Sequence, residues 1–172
     1  MNVEERNNSA IEVKESTTTF ETVYNSDYAP NDPSLKAANL VLIPYHNYRP
    51  DIEYCFGEYS EEFLRYVREK GSEEIRPDIA ITDEQYQSME MHSLLIDIGI
   101  FIATNVILSL AVNILSNYVY DKVKSMHEKK ENVSVRVEII TQDANGNSKS
   151  IKYDGPVSGF DAVKNAANDM LK

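Results

Sequence analysis

Apolar and polar positions divide this chain into four stretches. Residues 1–35 are rich in Asn, Ser, Thr and Glu and end in Tyr-Ala-Pro-Asn-Asp-Pro, a turn-forming run that breaks regular structure. The expectation is a flexible acidic and polar arm, with one edge strand near residues 18–24. Residues 36–92 read as a small α/β lobe. Asn-Leu-Val-Leu-Ile-Pro-Tyr, at 39–45, is a short apolar run that predicts a buried strand. Ile52, Tyr54 and Phe56 alternate with Glu53 and Cys55, which predicts a second strand. Ser60 as an N-cap, Glu61 and Glu62 in the first turn, and the stripe Phe63, Leu64, Tyr66, Val67 predict a helix ending before Gly71. Asp-Ile-Ala-Ile-Thr at 78–82 reads as a third strand. Thr82 and Gln85 have the spacing of a capping box, so a further helix is expected there, running through Met89 and His92.

Residues 93–128 predict one long central hydrophobic helix. From 98 to 120 there are 23 residues without a charge, and about 20 suffice to cross a bilayer. Tyr118, Tyr120, Lys122 and Lys124 resemble an interfacial anchor. Against a span stand Asp97, Asn105, Asn113 and Asn117, each costly in lipid. At 100° per residue, Asn105, Ser109, Asn113 and Ser116 fall within roughly 80° of one another, a polar seam on the second half of the helix. Gly99 and Ala103 are four apart, which lets a second helix approach closely. A core helix buried by the flanking layers or by a second protomer and a membrane-inserted helix both stand as readings, because protein interior and bilayer reward the same residues.

Residues 129–172 predict a ββα module. Val133, Val135, Val137 and Ile139 alternate with polar residues, and Ile151 and Tyr153 mark a partner strand. Asn145-Gly146 signals the hairpin turn. A two-residue loop would set apolar positions against polar ones. A three-residue loop, Ala144 to Gly146, pairs Ile139 with Ile151 and Val137 with Tyr153, with Gly146 left-handed. Ser158 and Asp161 are placed to cap a last helix, whose apolar face is Phe160, Val163, Ala167, Met170 and Leu171. The fold class is therefore α+β: a small mixed sheet with a helix, the long central helix, and the ββα module.

Charge sharpens this picture. Residues 1–92 hold 8 Lys/Arg against 19 Asp/Glu, a net of −11, while residues 93–172 hold 9 of each. Nucleic acid is disfavoured as a partner, since phosphate binding wants a basic surface. The acidic half suits a basic protein surface. No basic start or apolar run opens the chain, so a secretory signal is not expected and a cytoplasmic location is, with the membrane as the alternative.

Candidate chemistry is sparse. A single cysteine, Cys55, excludes an internal disulfide and a Cys-based zinc site. His46, His92 and His127 lack any ligand spacing, and the six glycines are isolated, so neither a metal nor a cofactor is expected. Cys55 and His46 form a weak candidate for nucleophile and base. Asp97 reads as a buried acid with a raised pKa or as the partner of a Lys or Arg elsewhere. Tyrosine is over-used, with six of 11 in the first 60 residues, and Tyr24, Tyr28, Tyr45 and Tyr48 are the candidate partner surface. The expected function is a non-enzymatic interaction or accessory protein that forms a homo-oligomer through its central helix. Gly99, Ala103, Asn105, Ser109 and Asn113 would pack there, and the acidic, Tyr-rich half would bind an unidentified protein. A single-span membrane protein or oligomeric pore-former, and a small enzyme using His46 and Cys55, are the alternatives.

Overall fold

Four isoleucines, at 96, 98, 100 and 102, recur at every second position of residues 95–104. In the computed structural model, which describes residues 10–90 and 93–171, this stretch is a strand, β6 (Leu95–Thr104). The long hydrophobic helix is present, but it starts later than expected. A short 3-10 turn, Asn105–Ile107, leads into α4 (Leu108–Ser125). β6 is apolar all round because it lies mid-sheet with apolar layers on both faces, not because it is a helix. Among the described residues no helix is long and apolar enough to cross a membrane.

β6 is a central strand of a six-stranded mixed sheet. It runs antiparallel to β2 (Leu40–Ile43) and parallel to β7 (Ser134–Gln142). β7 pairs antiparallel with β8 (Ser148–Pro156), and β8 with the edge strand β1 (Ile11–Ser16). β5 (Pro77–Ile79) closes the other edge beside β2, giving the order β1-β8-β7-β6-β2-β5. A separate hairpin, β3 (Tyr45–Arg49) and β4 (Ile52–Cys55), stands outside this sheet. The fold is α+β.

One sheet face carries the main core. Ile96, Ile98, Phe101 and Ala103 of β6 join Val135, Val137 and Ile139 of β7 there, under three helices. Those helices are α3 (Ser60–Lys70), α4 and α5 (Asp161–Met170). Phe63 of α3 lies 5.7 Å from the Phe101 ring and 5.6 Å from that of Tyr118. The opposite face carries a smaller core of Val41, Ile43, Ile102 and Ile140. Val23 from α1 (Phe20–Tyr24) and Leu35 from α2 (Pro33–Ala37) cover it. Residues 10–35 are thus not a flexible arm. The strand in this region is at Ile11–Ser16, and residues 20–24, expected as strand, form a helix capped by Thr19.

The C-terminal module follows its sequence pattern. Ile139 faces Ile151 and Val137 faces Tyr153. The Asp143 amide donates to the Asn147 carbonyl at 2.9 Å, which closes a three-residue loop, and Gly146 has φ +85°. Three capping expectations differ. Ser60 is buried, and its hydroxyl donates to the Ile98 carbonyl at 2.7 Å, tying α3 to β6 rather than capping α3. Thr82 to Gln85 produces one 3-10 turn, Asp83–Gln85, not a helix running on through Met89, because the chain next extends along the Phe56 backbone. His92 lies outside the described residues. Ser158 sits in a 3-10 turn and caps nothing, while Asp161 accepts from the Tyr120 hydroxyl at 2.6 Å.

Candidate functional site

Asp97 is the most deeply buried charged residue described, with 1% of its surface exposed. It sits where the β6–β7 register shifts, between Asp97 and Gly99. That irregularity has a residue-level cause. Ile98 and Phe101 are an odd number of positions apart yet reach the same core, so one residue between them must be absorbed. Gly99 absorbs it at φ +86°, a left-handed conformation that favours glycine. A Cβ there would meet the Ser60 hydroxyl at 3.1 Å. Gly57 makes the second close approach. A Cβ on it would lie 2.4 Å from the Asp97 carbonyl oxygen.

Two side chains hold the Asp97 carboxylate. The Tyr45 hydroxyl of hairpin β3–β4 donates to Oδ1 at 2.7 Å. Arg136 of β7 brings its guanidinium within 3.7 Å of Oδ2, an ion pair too long to be a hydrogen bond. Oδ2 has no hydrogen-bond donor among the described residues. Arg136 is better engaged elsewhere: Nε donates to Asp154 Oδ2 at 3.2 Å, and Nη1 donates to the Tyr48 hydroxyl at 3.0 Å. Burial raises the Asp97 pKa above the usual carboxylate range, against the opposing pull of Tyr45, Arg136 and the Gly99 amide. Burial likewise pushes up the Tyr45 phenol, and the Asp97 charge adds to it. Arg136 is held above its ordinary value: desolvation opposes this, but Asp154 and the Tyr48 and Asp97 contacts outweigh it.

Above this network lies a cleft of about 280 Å³, lined by Tyr45, Tyr48, Ile100, Arg136, Glu138, Lys152 and Asp154 among others. Its charges are mixed, two cations against two anions. No Ser, Cys or His is among its lining residues. Cys55 is buried, and desolvation followed by the Asp97 charge raises its thiol pKa, the setting of an inert structural cysteine.

The sequence-predicted residues fall in several places. Cys55 pairs with Tyr45 across the hairpin, while His46 pairs with Tyr54 and stacks on it, ring centroids 4.9 Å apart. Successive strand residues point to opposite faces, so His46 and Cys55 are not brought together. Tyr45 and Tyr48 do share the cleft. Tyr24 and Tyr28 instead lean on the smaller core, Tyr28 edge-on to Tyr54 at 5.3 Å. Gly99 and Ala103 are strand residues, Ala103 opposite Leu40, so they are not four apart on one helix face as expected. Asn105 is half-buried in the 3-10 turn, and Ser109 and Asn113 are exposed on α4. The apolar face of α4 is buried within the chain, so that helix has no apolar stripe left for a second copy. Sequence reasoning missed Arg136, Asp154 and Gly57. Arg136 looked like the solvent side of an alternating strand, and only sheet register sets it opposite Asp97.

Among the described residues no group of three or more His, Cys, Asp or Glu side chains is placed to hold a metal ion. No family model matches the chain, and no curated protein or solved structure matches it either.

Proposed function

We propose that this chain is a non-enzymatic interaction protein that binds a basic segment of another protein through hairpin β3–β4 and the adjoining Asp83–Gln85 turn. The observation that carries the reading is a cleft of about 270 Å³ between them, lined by Asp51, Ile52, Glu53, Tyr54, Glu84, Gln85 and Gln87, with no Lys or Arg in its lining. It collects part of the acidic excess of residues 1–92. Tyr54 supplies an aromatic side chain, braced by His46 and Tyr28, against which the aliphatic stem of a Lys or Arg packs while its charged head gains Coulomb attraction from the carboxylates. The hairpin is pre-organised: Tyr45 anchors it to Asp97 and Tyr48 to Arg136, so little ordering remains to be done on binding.

Titrating the full chain with a Lys/Arg-rich peptide, and following backbone amide shifts, tests this. Shifts should concentrate at residues 51–54 and 84–87 and weaken with added salt. A variant with Asp51→Lys, Glu53→Lys and Glu84→Lys should lose them. Shifts spread evenly over the acidic surface, or binding that survives the triple reversal, would sink the reading.

A further inference from the structure

The two sheet edges differ. β5 is three residues long and opens with Pro77, which has no amide to donate. β1 is six residues long, Ile-Glu-Val-Lys-Glu-Ser, and no described strand lies on its outer side. Its Val13 is 51% exposed. Backbone geometry fixes which β1 residues have free hydrogen-bonding groups. The Asp154 amide donates to the Ala10 carbonyl at 2.9 Å, and the register runs without a break from Ile11↔Tyr153 to Ser16↔Ser148. Hydrogen-bonded residues alternate along an antiparallel ladder. Glu12, Lys14 and Ser16 therefore turn their N–H and C=O groups toward β8. Ile11, Val13 and Glu15 turn theirs to the open edge.

We propose that this edge pairs with the same edge of a second copy, antiparallel and centred on Val13, so that two sheets become one. That register sets Val13 opposite Val13 and Ile11 opposite Glu15, joining the residues whose backbone groups face away from β8. It also sets Glu12 of each copy opposite Lys14 of the other. These are non-hydrogen-bonded positions, where side chains approach most closely. Within one copy, the ion pair that Glu12 and Lys14 make among the described residues is with each other, at 3.5 Å, both largely exposed. Registers centred on Glu12, Lys14 or Glu15 each place like charges face to face, which is destabilising. Among registers centred on Glu12 to Glu15, the charge order of the strand thus favours the one centred on Val13. This surface is distinct from hairpin β3–β4, so the dimer and the binding of a basic partner are separate claims.

Sedimentation equilibrium of the full chain tests it. The wild type should weigh as a dimer at high micromolar concentration; a monomer there overturns the proposal. Val13→Pro removes an outward amide without breaking the β1–β8 ladder, and should give a folded monomer. Lys14→Glu should weaken the dimer by roughly tenfold, from two cross-strand pairs lost. Adding Glu12→Lys to Lys14→Glu reverses both charges and should restore dimerisation. A dimer indifferent to Val13→Pro, or a folded double variant that stays as weak as Lys14→Glu, overturns it too.

Discussion

Asp97 is almost inaccessible to water, and its two oxygens are held unequally. Oδ1 takes a short hydrogen bond from Tyr45, while Oδ2 has only a guanidinium at 3.7 Å. Removing the donor leaves a buried carboxylate short of its best partner. Tyr45→Phe should therefore cost about 2 kcal/mol in urea unfolding at neutral pH, and an unchanged midpoint would show that the hairpin is held by other contacts. The raised pKa makes a second prediction, with a definite sign. In the unfolded chain Asp97 titrates near its ordinary 3.8; in the folded chain it titrates higher. Between those values the folded state keeps a proton that the unfolded state has lost. Stability then falls as pH rises through that window and levels off above it. Asp97→Asn cannot lose that proton, so its stability should fall less than the wild type's from about pH 4 upward. Parallel pH profiles for the two proteins would contradict this. The sequence offered both halves of this outcome, a buried acid and an ion pair, as alternatives. Folding makes them one group, because the register that buries Asp97 is the register that brings Arg136 beside it.

At the scale of elements, strand β6 and the C-terminal hairpin show opposite degrees of legibility. The hairpin has one apolar face, so its period-2 alternation states its conformation, and the loop length follows from keeping that face in register. Strand β6 is buried on both faces. Its alternation of isoleucines was hidden among other apolar residues, and its continuity with α4 made one long helix the simplest reading. The β-branched residues at every second position were the signal against a helix. Gly99 makes this testable. Gly99→Ala forces a side chain into a left-handed conformation beside Ser60, and should cost about 1–3 kcal/mol. Gly146 has nearly the same φ, but nothing lies within 4 Å of its added Cβ. Gly146→Ala should thus be milder, and equal thermal shifts for the two would mean that the contact with Ser60 is irrelevant.

Over the whole molecule, the N-terminal segment is structural. Leu35 is 1% exposed within the smaller core, and Leu35→Ala should cost about 2–5 kcal/mol. Deleting residues 1–38 should expose Val41, Ile43, Ile102 and Ile140 and make the chain bind an apolar dye; a dye-silent truncation with an unchanged unfolding midpoint would show these layers to be independent. Composition could not reveal this, because the segment contributes few apolar residues and their partners lie far along the chain. The β1–β8 pairing also has a consequence for timing. Ile11 meets Tyr153, and the Phe20 amide reaches the Gln142 side chain across 122 positions. During synthesis β1 is made before β8, and β2 to β7 must all follow it before its partner strand exists. The two strands flanking β8 differ accordingly: β7 closes onto it through a loop of three residues, while β1 must close a loop that spans most of the protein. Of the six strands of this sheet, the first to be made is the last that can be zipped in, and until then the main core must assemble without it.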